Sequence, residues 1–399
     1  MKTKSPELLL PVKDFSGLKA ALPYADAVYF GAKELTMRAR KGFTLGEIKK
    51  VSKIAHENNI KAYLAVNTVI YENDFKKMEK IITTAHSSEI DALITWDPAA
   101  IDFARSIKIP FHISTQANIS NSRTAQFYKN QGATRLVLAR ELSLKQISSI
   151  KKKAGIELET FIHGAMCVSI SGRCYLSSYL YGQSANCGKC IQPCRKPWTL
   201  IDDENNKLVC EGKYLLNPKD LCMIEHIPEL IKAKIDSFKV EGRLRSSDYV
   251  ETVGRCYRKA IDSYMSGEYT LDLAQDLKKD LQKVYNRGFS TGFYFKKPGR
   301  SDFSYDASDS QATRTRKQIG IVTNYYPRAG VAAIRLVGGP LKLGDEITIE
   351  GKTTYIHQLV DSLEAGAKRL ESAENNSHVG MKVEKKVRRN DWLYLITEK

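Results

Sequence analysis

Short apolar runs alternate with amphipathic stretches along the first two thirds of the chain. ELLLPV (7–12), DAVYF (26–30), KAYLAV (61–66), DALITW (91–96), PFHIST (110–115), RLVLAR (135–140), LETFIH (158–163) and SFKVEG (237–242) read as strands. Helical patterns follow near 14–22, 44–58, 73–88, 98–107, 122–131, 143–153 and 248–265; within 143–153, Leu144, Ile147 and Ile150 recur on one helical face. Strand–helix alternation predicts a parallel sheet, and eight such units predict an α/β fold, a closed (β/α)₈ TIM-like barrel. An open doubly wound sheet is the rival. No glycine-rich dinucleotide fingerprint follows the first strand, which weighs against it.

The texture changes past residue 290. GFYFKKPGRSDFSYDASDSQ is polar and without periodicity, and 318–399 holds short alternating strands such as IGIVTNYY, VAAIRLV and GDEITIE. The expected organisation is a barrel domain over 1–295, a linker over 296–317 and a small C-terminal β-barrel over 318–399.

Composition adds two constraints. The beginning, MKTKSPELLLPVKDF, has too short an apolar run for a signal peptide, and no later run of 18 apolar residues occurs. A cytoplasmic protein with reduced thiols and no membrane partner is expected, so disulfides are disfavoured. The formal net charge is +17, and residues 311–399 carry 15 Lys and Arg against 10 Asp and Glu. Clusters such as KKK (151–153), RKPW (195–198), RTRK (314–317) and EKKVRR (384–389) suit a lysine-rich surface or a footprint for RNA.

The chemistry concentrates in residues 161–198, which hold five of the eight cysteines. Their spacing is Cys167-x6-Cys174-x15-Cys190-x3-Cys194, with Cys187 adding a Cys-x2-Cys with Cys190. Four sulfurs from one segment can surround a metal ion or cluster, and spacing alone does not separate zinc from iron–sulfur. Cys222 and Cys256 read as small core residues, whereas Cys210 could approach the cluster. A nucleophile fares poorly: G-x-S-x-G is absent, and His56-Glu57 lacks a second histidine. A His163–Cys167 dyad would leave the other cysteines unexplained.

ETFIHGAMCVSISGRCYLSSYL resembles the signature of the collagenase-like peptidase family U-32, and DAVYFGAKELTMRAR, STQANISN, RLVLARELSL, GKCIQPCRKPW, LLNPKDL and FKVEGRLRSSDYV match its pattern in order. The resemblance implies an iron–sulfur protein of oxygen-independent hydroxylation, not a protease. Its branches act on tRNA uridine (giving 5-hydroxyuridine, with prephenate as oxygen donor), on a cytidine of large-subunit rRNA, or in ubiquinone synthesis. It further implies that Cys167, Cys174 and Cys190 ligate a 4Fe–4S cluster, with Cys194 favoured over Cys210 as the fourth ligand. The short TLIDDENNKLVCEGKYLL departs from the longer insertion of the tRNA branch.

In such a barrel, chemistry belongs at the strand C-termini. Those ends supply Arg38, Arg40, Asn67, Gln116, Asn118, Arg140, Glu141, His163, Glu241 and Arg243. Arg38, Arg40 and Arg243, with Asn67, are candidate substrate-binding residues, since guanidinium forks suit the two carboxylates of prephenate. Gln116 and Asn118 are candidates to read an extruded uracil edge, and Glu241 and His163 complete the catalytic set, His163 as a proton shuttle. The expected partner is tRNA or rRNA, with a homo-oligomer or a paralogous chain as a further partner. Two rival functions stand beside this one, a peptidase and a partner-dependent iron–sulfur module.

Overall fold

In the computed structural model of the protein, residues 4–37, 42–208, 214–305, 310–366 and 368–399 are described. The eight expected strands form as β1 (Glu7–Pro11), β2 (Ala27–Gly31), β3 (Lys61–Ala65), β4 (Ala92–Thr95), β5 (Phe111–Ile113), β6 (Arg135–Val137), β7 (Glu157–Gly164) and β8 (Ser237–Val240). All are parallel neighbours in chain order, and β8 pairs with both β1 and β7, which closes the barrel. Their near-continuous apolar runs follow from burial on both faces. Leu8, Leu10, Val28, Phe30 and Leu64 face the helix ring, while Leu9, Ala27, Tyr29, Tyr63, Ala65 and Ile94 pack inside.

The helices are stopped and started by their sequence. Leu45–His56 opens on a Thr44/Glu47 capping box, and Leu144–Ala154 opens on Ser143/Gln146 and ends at Gly155 in the left-handed conformation. Below the mouth, the barrel interior is ionic. Arg135 donates to Glu157 Oε2 (2.9 Å) and Glu159 Oε2 (3.3 Å) and also meets Glu7, while Lys239 Nζ reaches Glu159 Oε1 at 2.7 Å. Pairing of this kind is what makes such burial tolerable.

Between β7 and β8 the chain leaves the barrel to form the cysteine segment. It returns through a short strand, Asp220–Cys222, antiparallel to β7, before the helix Ile227–Lys232 leads into β8. The junction needs a glycine: Gly164 has φ +101°, and a Cβ there would lie 2.3 Å from the Glu241 carbonyl oxygen.

The expected small barrel is an eight-stranded antiparallel sheet around its own core, which includes Ile319, Ile334, Ile347 and Leu393. Among the described residues no ladder joins its two outer strands. Its first strand, Arg314–Tyr326, begins inside the stretch read as linker. The two arginines of the RTRK cluster are therefore already paired, one of them across the domain interface. Arg314 binds Glu346 and Glu398, while Arg316 binds Glu350 and, in the barrel domain, Asp248 at 3.0 Å.

Candidate functional site: a cysteine-lined cavity at the barrel mouth

The cysteine segment folds back over the C-terminal end of the barrel because polar side chains pin it at several points. The Arg195 guanidinium donates at 2.6 Å to Asn217 Oδ1 and to the carbonyls of Pro218 and Met166. Arg140 Nη1 donates to the Ala165 carbonyl (3.0 Å), and the Ser171 amide donates to Glu141 Oε1 (2.9 Å). The Ser171 hydroxyl donates to Asn118 Oδ1 (2.8 Å), and the Val69 amide to the Asn186 carbonyl (3.1 Å).

This fold-back encloses one cavity whose wall carries Cys167, Cys174, Cys190 and Cys194 together with Asn67, Gln116, Arg140, Lys239, Glu241 and Arg243. Cys174 and Cys190, from opposite sides of the helix Leu176–Tyr181 in the sequence, thus line the same cavity at the barrel mouth. Burial pushes the Cys194 thiol up, Arg195 opposes this, and the sulfurs of Cys167, Cys190 and Cys174 add to it. The Gln192 amide donates to Cys190 Sγ at 3.4 Å, and Cys167 Sγ lies 3.0 Å from the Ser169 hydroxyl. Among the described residues, no three His, Cys, Asp or Glu side chains are gathered to hold a metal ion, so the four sulfurs share a cavity without closing on a point. The void is about 90 Å³, room for a compact group.

The polar wall is pre-oriented. Asn67 Oδ1 accepts from the Met37 amide (3.0 Å), while its Nδ2 donates to Ser114 Oγ (3.2 Å) and Gln116 Oε1 (3.4 Å). The Ser114 hydroxyl also donates to Gln116 Oε1, which fixes the amide so that its NH₂ end is the one left for other partners. Arg243 Nη1 donates to Thr36 Oγ1 (2.6 Å), and Arg140 Nη2 lies 3.7 Å from Glu241 Oε2 while stacking on Phe161. Burial pulls the Lys239 ammonium down from its ordinary range against the pull of Glu159. The wall thus carries three cations, of which Lys239 is paired with Glu159 and Arg140 lies beside Glu241.

Not every sequence candidate joins the cavity. His163 is buried among Tyr249, Tyr257 and Phe289, with Tyr257 Oη 3.3 Å from its Nδ1. Burial and the nearby Arg245 hold it down to about 3, so it is neutral at physiological pH and off the wall: the proton-shuttle role has no geometry here. Asn118 stands one layer back, holding Ser171. Cys187 is also outside, 3.9 Å from the Tyr71 hydroxyl. Arg38, Arg40 and Cys210 lie outside the described residues. Cys222 and Cys256 are core thiols that burial pushes up to about 11 and about 12. Sequence reasoning missed Lys239, although its signal was present: a lone cation between Phe238 and Val240 in an apolar strand must point somewhere paired.

Comparison with known proteins follows the same outline. Peptidase family U32 matches residues 13–303. An uncharacterized protease of Methanocaldococcus jannaschii is 48% identical over 404 residues, covering 98% of each chain. A collagenase of Porphyromonas gingivalis is 38% identical and covers 97% of each. A tRNA hydroxylation protein of Bacillus subtilis is 32% identical, covering 96% of this chain and 93% of its own. In the described residues, no helix is long and apolar enough to cross a membrane. With a family match over residues 13–303 and relatives at this identity over nearly the full length, the chain belongs to peptidase family U32.

Proposed function

We propose that this protein is a cytoplasmic enzyme of oxygen-independent RNA hydroxylation, acting on tRNA uridine to give 5-hydroxyuridine, with prephenate as oxygen donor. The observation that carries the reading is the convergence of Cys167, Cys174, Cys190 and Cys194 on the cavity that also presents Gln116, Glu241 and Arg243. The B. subtilis relative supports it, because the alignment runs through the C-terminal domain as well as the barrel.

The donor set fits a 4Fe–4S cluster. Four thiols face one cavity, the Gln192 amide is aimed at one sulfur, and no Asp or Glu occurs from Thr160 to Ile201 to oppose thiolate charge. Sulfurs spread round a cavity suit a polynuclear cluster better than one tetrahedral ion. When bound, the cluster would supply electron transfer or Lewis acidity. The chain's own residues hold and orient. Arg243 and Arg140 attract carboxylates, the NH₂ of Gln116 offers a donor to a pyrimidine carbonyl, and Glu241 offers an acceptor beside Arg140.

Nucleoside mass spectrometry of tRNA and rRNA from a deletion strain tests the proposal. Loss of 5-hydroxyuridine or its derivatives from tRNA is the expected result. Loss of a hydroxylated cytidine from rRNA would move the target, and an unchanged profile would remove the reading. The names of the M. jannaschii and P. gingivalis relatives favour a second reading, a peptidase. That chemistry needs a base beside a nucleophile, and His163 is sealed in the core.

A further inference from the structure

We propose that Tyr175 and Tyr179 form a stacking platform for unpaired bases of a single-stranded RNA loop at the rim of the cysteine-lined cavity. The inference rests on the RNA reading and adds to it where, and by what contact, the strand docks. Tyr175 and Tyr179 are 72% and 77% exposed, large aromatic side chains left bare on a segment that is otherwise pinned down. They are joined by the hydrogen bond from the Tyr179 amide to the Tyr175 carbonyl (2.9 Å), so they stand one turn apart on one face of the helix Leu176–Tyr181.

The opposite face of that helix is committed inward. Leu176 lines the cavity, and buried Ser177 accepts from the Ile191 amide at 3.2 Å. Cys174, also on the cavity wall, immediately precedes Tyr175. A base stacked on these rings would lie beside the wall of that cavity.

The electrostatics choose the occupant. From Thr160 to Ile201 there are Arg173, Lys189, Arg195 and Lys196 and no acidic residue. Arg195 is half-buried and held in its clamp, but Lys189 and Lys196 are exposed, the latter 4.5 Å above the Tyr181 ring. Bare aromatic faces interleaved with cations on a stretch that carries no acidic residue of its own suit single-stranded nucleic acid, since bases stack and phosphates need counter-charge. A protein partner needs no such one-sided charge.

The test measures binding of a labelled oligouridylate to the full-length protein across a salt series. Replacing both rings (Tyr175→Ala with Tyr179→Ala) should weaken binding about tenfold or more, from the energy of stacking per base. The salt slope should not change, while the Tyr175→Phe, Tyr179→Phe pair should bind as the parent does. Lys189→Gln with Lys196→Gln should instead flatten the slope by about 1.4. Thermal melting confirms that each variant is folded. Unchanged affinity in the alanine pair, alone or with a changed oligomeric mass, overturns the platform while leaving the RNA reading standing. If the parent protein does not bind the oligonucleotide, the RNA reading falls and takes the platform with it.

Discussion

His357 should make docking of the C-terminal domain weaken as the pH turns alkaline. It sits on the strand Tyr355–Leu359 with Nδ1 2.7 Å from Glu251 Oε2 of the barrel domain and Nε2 2.8 Å from Glu346 Oε1 of its own sheet. Tyr355 Oη donates to the same Glu251 oxygen at 2.8 Å, and Arg314 neutralises Glu346. The hydrogen bond to Glu251, against some burial, raises the imidazolium from 6.5 to about 9. Because the folded value is raised above the unfolded one, the stabilisation is fully present below the unfolded pKa and is lost as pH rises through about 9. The shift corresponds to a ceiling of about 3 kcal/mol. The ring is 31% exposed, so solvent screening leaves roughly half of that. His357→Gln keeps the shape and removes the charge. Chemical denaturation of both proteins from about pH 6 to about pH 10 should show the parent more stable at the acid end and the two converging at the alkaline end. A difference that stays constant with pH, or grows toward alkaline pH, would refute the charge-based account of this interface.

The remaining predictions concern the mouth. Alanine at Cys167, Cys174, Cys190 or Cys194 should abolish the iron and sulfide content and the colour of anaerobically purified protein, whereas Cys222→Ala and Cys256→Ala should not; a colourless parent holding one zinc would end the cluster reading. Gly164→Ala should lower stability by about 3 kcal/mol or more, since both the backbone angle and the Glu241 carbonyl oppose a Cβ; unchanged melting would mean that β7 and β8 can separate there. Arg195→Met should leave the barrel's unfolding nearly unchanged but speed protease cleavage within residues 165–198, because it removes three hydrogen bonds that pin the segment. A cleavage rate equal to the parent's would show that the clamp is redundant.

What the sequence determined by itself is local and periodic. Strands such as Leu8–Leu10 and Val28–Phe30 are apolar without interruption because a parallel barrel buries both faces, and that pattern survives in one dimension. That four cysteines share one cavity was legible too, since residues within 28 positions of one another need only a flexible segment to reach it. What tertiary structure alone decided is direction and partnership. Strict alternation along β7 would turn His163 into the barrel with Glu159 and Phe161. The register between β7 and β8 shifts, however: Lys239 pairs with Phe161 and the next residue, Val240, with His163. This bulge turns His163 out against Tyr249 and Tyr257, and a bulge has no signature in a run of apolar residues. Charge is decided the same way. Arg195 and Arg316 read as members of basic clusters, and only the folded chain shows them spent on a clamp and a domain interface, because a polar contact joins residues that the sequence lists far apart.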